Sequence, residues 1–326
     1  MLLNPRILPL ALCIGLLALV PPVLPLLTGG SYALTLLLQI FLWTTLALSW
    51  NFFCGYSGYS SFGHGAFFGV GAYTTATLVV QFDMPFLLTL PVAGALSALI
   101  ALLVGVVVFR LPRFRGELFS LLTLVLGFVL ATIANNIAFI DGGRGVFLRS
   151  SSAGQADTSF VVSIYYVGLM IVALTAFIAR AIYLSRWGAA LFAIRDDEGA
   201  AEGIGIGTLR YKLATFALSS FIVGLAGGTQ AMFLGYIEVS NIFTITTPLL
   251  ALMMAILGGS GRWYGPIIGA VLITLLRQTF TSGGSAALNQ MFIGVVLILT
   301  ILFLPRGIAG TQWTALPAIR RLRTDP

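Results

Sequence analysis

Apolar residues run along this chain in blocks about 20 residues long, separated by short clusters of arginine, glycine, proline and serine. A block of that length matches one helical crossing of a bilayer's hydrocarbon core. Ten blocks can be drawn, near 7–27, 33–53, 61–80, 86–109, 118–139, 161–183, 212–235, 246–258, 264–280 and 289–304. The eighth is short, and the third and fifth carry polar residues. The predicted fold is an all-α polytopic membrane protein with about ten transmembrane helices. It forms one domain over 1–326, with a polar segment at 187–212 and a basic tail at 305–326.

Arginine placement tests that count, because inward-facing loops collect basic residues. With both ends inside, Arg6, Arg110, Arg113, Arg115, Arg186, Arg195, Arg210, Lys212, Arg262, Arg306, Arg320, Arg321 and Arg323 all fall on one side. Only Arg144 and Arg149 fall in an outside loop, while Arg180 and Arg277 lie near span ends. The first block resembles a secretory signal in having Arg6 before an apolar run. Pro21 and Pro22 interrupt it and no small-x-small site follows directly, so it is read as a retained span.

The strongest break in the apolar pattern is WGAALFAIRDDEGAAEGIGIGTLRYK, residues 187–212, where Arg195, Asp196, Asp197, Glu198 and Glu202 lie within eight residues. Charge at that density is costly in hydrocarbon, which places the segment in water. It reads as a short helix: Asp196 or Asp197 caps it, Glu198 favours the positive end of the dipole, and Ala200 and Ala201 form its body. Gly203, Gly205 and Gly207 end it. A short polar helix with a small-residue face suits docking into a partner's groove; a plain solvated loop is the alternative.

A second irregular stretch is CGYSGYSSFGHGAFFGVGAY, residues 54–73, with six glycines. Each costs about 1 kcal/mol relative to alanine inside a helix. Either the glycines let helices approach closely, or they mark a broken helix lining a pathway. The candidate pathway residues are Gly63, His64 and Gly65 here, Asn135 and Asn136 at the end of the fifth span, and Gln230 deep in the seventh. His64, the only histidine, has no acid nearby in sequence to orient it, and its default role is a structural hydrogen bond. Gln230 likewise defaults to bonding across helices.

Composition removes whole classes of function. Apolar residues make up 59% of the 326 positions and charged residues 8%, so no separate soluble domain is present. The net charge of +7 is a topology signal and not a nucleic-acid footprint. Cys13 and Cys54 supply neither a disulfide framework nor a metal spacing. The one lysine, Lys212, follows Tyr211 where a phosphate-binding loop requires glycine, so no nucleotide site is expected. No paired carboxylates or nucleophile–base sets lie in the spans. The chain is therefore expected to have no catalytic residues, no metal and no cofactor of its own.

The run WGAALFAIRDDEGAAEGIGIGTLRYKLATFALSSFIVGLAGG, together with GYSGYSSFGHGAFFGVGAY, FRGELFSLLTLVLG, ILGGSGRWYGPIIGA and LFLPRGIAG, resembles the LivM-type permease subunit of branched-chain amino acid ABC importers. The resembling blocks keep the family's order over most of 45–310. The resemblance implies a bacterial inner-membrane permease working with a LivH-type sister permease, two cytoplasmic ATPase subunits and a periplasmic substrate-binding protein. ATP and magnesium would sit in the ATPase subunits. Glu198, Ala200, Ala201 and Gly205 resemble the E-A-A-G core of the family's ATPase-coupling loop, with Arg195, Asp196, Asp197 and Glu202 around it. Gly199, Gly203 and the run DGGRGV at 141–146 depart from the family's pattern. Similar permeases carry urea or short amides, which is the alternative cargo. An ion-driven carrier and, more weakly, a channel are the readings from other classes, and the lack of intramembrane acids argues against the carrier.

Overall fold

The computed structural model describes residues 32–111, 116–140, 142–148 and 158–281, the turn 307–310, and isolated positions near both ends. The first expected span, most of the tenth, and the basic tail from 311 onward lie outside the described residues. Within them the chain is helical: α1 (Tyr32–Trp50, running into a wider π-helical turn at Asn51–Gly55), α2 (His64–Phe82), α3 (Phe86–Val108) and α4 (Glu117–Asn136). A short strand β1 (Val146–Phe147) precedes α5 (Thr158–Leu184), α6 (Arg186–Asp196), α7 (Glu198–Gly203) and α8 (Thr208–Leu234). Strand β2 (Tyr236–Ile237), α9 (Val239–Ile242), α10 (Thr246–Gly258), α11 (Gly265–Thr281) and α12 (Gly307–Gly310) follow. Seven stretches among the described residues are long and apolar enough to cross a membrane: Tyr32–Gly55, His64–Phe82, Phe86–Val108, Glu117–Asn136, Phe160–Leu184, Thr208–Leu234 and Val239–Gly258. The eighth expected span gains its length from α9, and the ninth is the shorter apolar helix Gly265–Gln278.

One addition to the all-helical expectation is a two-residue antiparallel ladder, Val146 with Ile237 and Phe147 with Tyr236. It ties the loop after α4 to the end of α8, and the Phe147 and Tyr236 rings lie 4.4 Å apart.

Helix α8 is the centre of the bundle, packing on α2 and α3 and also touching α1 and α5. Lipid tails are as apolar as leucine, so helices here are held by close packing and not by escape from water. Glycine supplies that closeness. A Cβ added at Gly71 would lie 2.1 Å from the Gly224 carbonyl oxygen, and one at Gly227 2.1 Å from that of Phe68, so α2 and α8 meet main chain to main chain. At one end of this crossing Phe53, Phe109, Phe119 and Phe216 form an aromatic cluster, with centroids 4.8 Å apart for Phe53–Phe216 and 5.2 Å for Phe109–Phe119. Helix α4 is packed far less, leaving Leu121, Val125 and Phe128 exposed.

Candidate functional site

The charged segment folds as two helices meeting at an elbow. Ser185 starts α6, its hydroxyl accepting from the amides of Trp187 and Gly188. Gly188, Leu191 and Ile194 then recur every three residues and face inward. Asp197 ends this helix and begins the next. Its backbone is extended, its amide donates to the Ala193 carbonyl, and its carboxylate accepts from the Ala200 amide at 3.0 Å. The sequence reading offered Asp196 or Asp197 as the cap, of which Asp197 serves, and expected the glycine ending of α7, but α6 was not anticipated. The Ser185 cap and the 188/191/194 spacing were its available signals.

Position along α7 decides what faces the protein and what faces out. Asp196, Asp197, Gly199, Ala200 and Glu202 are exposed, and Ile204, just past the helix, is 77% exposed. Ala201 and Glu198 point inward, at 2% and 8% exposure. Glu198 is thus withdrawn from water, unlike the other acids of the segment. Its carboxylate is paired with Lys212 in the first turns of α8 and accepts from the Tyr59 hydroxyl at 2.6 Å. The lysine ammonium also lies 3.4 Å from the Tyr59 oxygen and over the Tyr59 and Phe109 rings, 5.0 and 5.2 Å from their centroids. Carboxylate, ammonium and phenol satisfy one another, which is what allows two charges to be buried. Removing one partner of such a pair costs about 3–5 kcal/mol, because the other stays buried and uncompensated.

Tyr59 belongs to the broken stretch. Residues 58–63 leave the helix between the π-helical turn and α2, and Tyr59, Ser61 and Gly63 among them are buried. Their backbone groups are met by neighbours: Trp50 Nε1 donates to Ser61 O, Ser120 Oγ donates to Ser60 O, and Thr123 Oγ1 accepts from the Phe62 amide. Arg195 at the end of α6 reaches in and donates to Gly55 O at 2.8 Å. Gly58 sits at φ +77°, a backbone conformation that favours glycine, and a Cβ there would press on Arg195 Cγ at 3.0 Å. Glu202 accepts from Thr208 Oγ1 at 2.7 Å, and Gly205, at φ +89°, turns the chain into α8.

The six pathway candidates do not come together. Gly63, His64 and Gly65 open α2, where a Cβ on Gly65 would lie 2.7 Å from Pro248 of α10. His64 is fully buried, with Nε2 2.8 Å from Ser219 Oγ. Ser219 donates its own proton to Ser49 O, so its lone pair faces the ring and the imidazole proton is assigned to Nε2. Asn135 and Asn136 are exposed at the far end of α4, roughly 30 Å along a helix of that length. Gln230 is half-buried, roughly 16 Å along α8 from Ser219. Between α2, α3 and α4 lies an apolar cavity of about 360 Å³, with Tyr73, Thr74 and Thr77 among its lining residues. The sequence reading missed Tyr59, Ser219, Ile204 and the pairing of Lys212. Lys212's position at the mouth of an apolar span, as the one lysine, was the available signal.

Sequence comparison assigns the chain to a family. Residues 32–301 match the family described as branched-chain amino acid transport system / permease component. The chain belongs to that family. It is 29% identical over 288 residues to the high-affinity branched-chain amino acid transport system permease protein LivM of Salmonella typhimurium, covering 81% of this chain and 66% of that protein. It is 25% identical over 274 residues to a probable branched-chain amino acid transport permease protein LivH of Methanocaldococcus jannaschii, covering 78% and 84%. The autoinducer 2 import system permease protein LsrC of Escherichia coli is 24% identical over 167 residues, half of this permease and 49% of that protein. No solved structure matches. The chain is therefore a multi-pass permease component and not itself an enzyme.

Proposed function

We propose that this permease is one membrane half of an ATP-driven importer for branched-chain or other hydrophobic amino acids in a bacterial inner membrane. It would pair with a LivH-type sister, two ATPase subunits that hold ATP and magnesium, and a binding protein that delivers cargo. Ten spans with both termini cytoplasmic remain the topology that accounts for the arginine distribution. The observation that carries the reading is the outer face of the α6–α7 elbow. Asp196, Ala200, Glu202 and Ile204 form a small exposed surface, fixed from beneath by Glu198 and Ala201. An exposed isoleucine among charges fits an apolar groove on an ATPase subunit. ATP-dependent closure of that subunit pair would favour one orientation of the elbow and so bias which side of the permease is open.

Reconstitution into vesicles with the partner subunits and binding protein tests the proposal directly. Uptake of leucine should require ATP on the side of the ATPase subunits. Uptake driven by an ion gradient without ATP would sink it. The likeness to LsrC supports a second cargo class only, and urea and short amides stay as alternatives. Ligand binding by the purified binding protein separates them.

A further inference from the structure

The glutamate that the E-A-A-G resemblance would turn toward an ATPase subunit points the other way. Glu198 is bound by Lys212 and Tyr59 inside this chain, and Arg195, three residues before it on the other side of the elbow, is anchored on Gly55. The elbow is thus fixed at both sides of its joint to the buried break between α1 and α2. Tyr59 lies in that break and Gly55 just before it, and Lys212 lies on α8, which touches α2 main chain to main chain. A buried ion pair adds little net stability compared with an apolar core, but it fixes which groups lie against which.

We propose that Glu198, Lys212 and Tyr59 form a buried strut that passes displacement of α7 to the 58–63 break and to α8, with Glu198 a positioning residue and not an ATPase contact. The importer reading is needed for what pushes α7, but not for the strut itself. Without the pair, α7 would still carry its outer surface, yet its movement would no longer reach the break.

The test uses the full-length permease in lipid nanodiscs, alone and with its partner subunits. Single variants leave a buried charge unpaired and endanger folding, so the main variant is the neutral double Glu198→Gln/Lys212→Met, with Tyr59→Phe beside it. Hydrogen exchange should accelerate at least tenfold in residues 58–63 of the double variant while residues 66–76 stay protected. ATPase subunits should still copurify, and substrate-stimulated hydrolysis should fall at least tenfold. Recovery of both readouts in the charge swap Glu198→Lys/Lys212→Glu would add support. Unchanged exchange, or full stimulation in the double variant, overturns the proposal. Loss of ATPase capture with 66–76 still protected also overturns it, since Glu198 would then be a direct contact. If the wild-type permease captures no ATPase, the importer reading fails, and the exchange comparison alone still decides the strut.

Discussion

Adjacent alanines on α7 offer a sharp separation of folding from docking. Ala201 is 2% exposed and packed into the permease's own core, whereas Ala200, one residue earlier, is on the outer surface. Tryptophan at 201 must displace core neighbours, and overpacking costs about 1–3 kcal/mol or more. A helix of six residues has little cooperativity to absorb that, so α7 should detach from the bundle. Tryptophan at 200 meets no such neighbours and should leave the fold intact, while an indole on the docking face blocks a closely packed partner. At about 1.4 kcal/mol per tenfold, a 3 kcal/mol loss weakens either equilibrium by about a hundredfold. The assay pairs fluorescence-detected size exclusion of the permease alone with ATPase capture on tagged permease. Ala201→Trp should spoil the monodisperse peak even without partners. Ala200→Trp should keep the peak and lose capture. If Ala200→Trp captures ATPase subunits as well as the parent, the outer face of α7 is not the docking surface.

Gly71→Ala should destabilise the α2–α8 crossing by at least about 1–3 kcal/mol, measured by denaturant titration in micelles. Gly127→Ala, whose Cβ would meet nothing closer than Ala66 at 3.9 Å, should stay within about 1 kcal/mol of the parent, and equal losses at both would refute the packing argument. His64→Gln should support transport within severalfold, because an amide can also donate to Ser219, while His64→Leu leaves Ser219 facing an apolar group and should cost about 1–3 kcal/mol of stability. Abolished uptake in a folded His64→Gln permease would give that ring a role beyond its bond. Cysteines at Phe147, which is 68% exposed, and at Gly199 should react with impermeant reagents from opposite sides of the membrane, and same-side labelling would contradict the assigned topology.

What the sequence made legible was local. Asp197 as a cap, the glycines that stop α7, and the long apolar runs are all read from neighbours within a helical turn. Glu198 was not legible in the same way: it looks like Asp196 and Asp197 until Lys212, fourteen residues on, and Tyr59, from another element, are brought beside it. Charge density marks the segment as costly in hydrocarbon, but it is blind to pairing, which withdraws Glu198 and Lys212 together from water. The six glycines of 54–73 were visible as an irregularity, and the structure holds both a break and close helix approach there. The chain breaks at 58–63, and Gly65 and Gly71 then pack against Pro248 and Gly224. Only the partners' positions show where one role stops and the other starts. The pathway candidates were chosen for polarity in apolar spans, and polarity alone does not say which end of a helix reaches which neighbour. Hence Asn135 and His64 were grouped although Asn135 is exposed near the C-terminal end of α4 and His64 is buried against Ser219.

The contact of α2 with α8 has a mechanical consequence. In an ordinary helix pair, a layer of side chains lies between the two backbones, and rotamer changes in that layer absorb part of any relative movement. Where Gly71 faces Gly224 and Gly227 faces Phe68 O, that cushion is absent. The joint has low compliance: a shift of one backbone is met at once by the carbonyls of the other. Movement delivered to α8 is therefore handed to α2 with little loss, and the joint stays stiff for as long as positions 71, 224 and 227 carry no side chain.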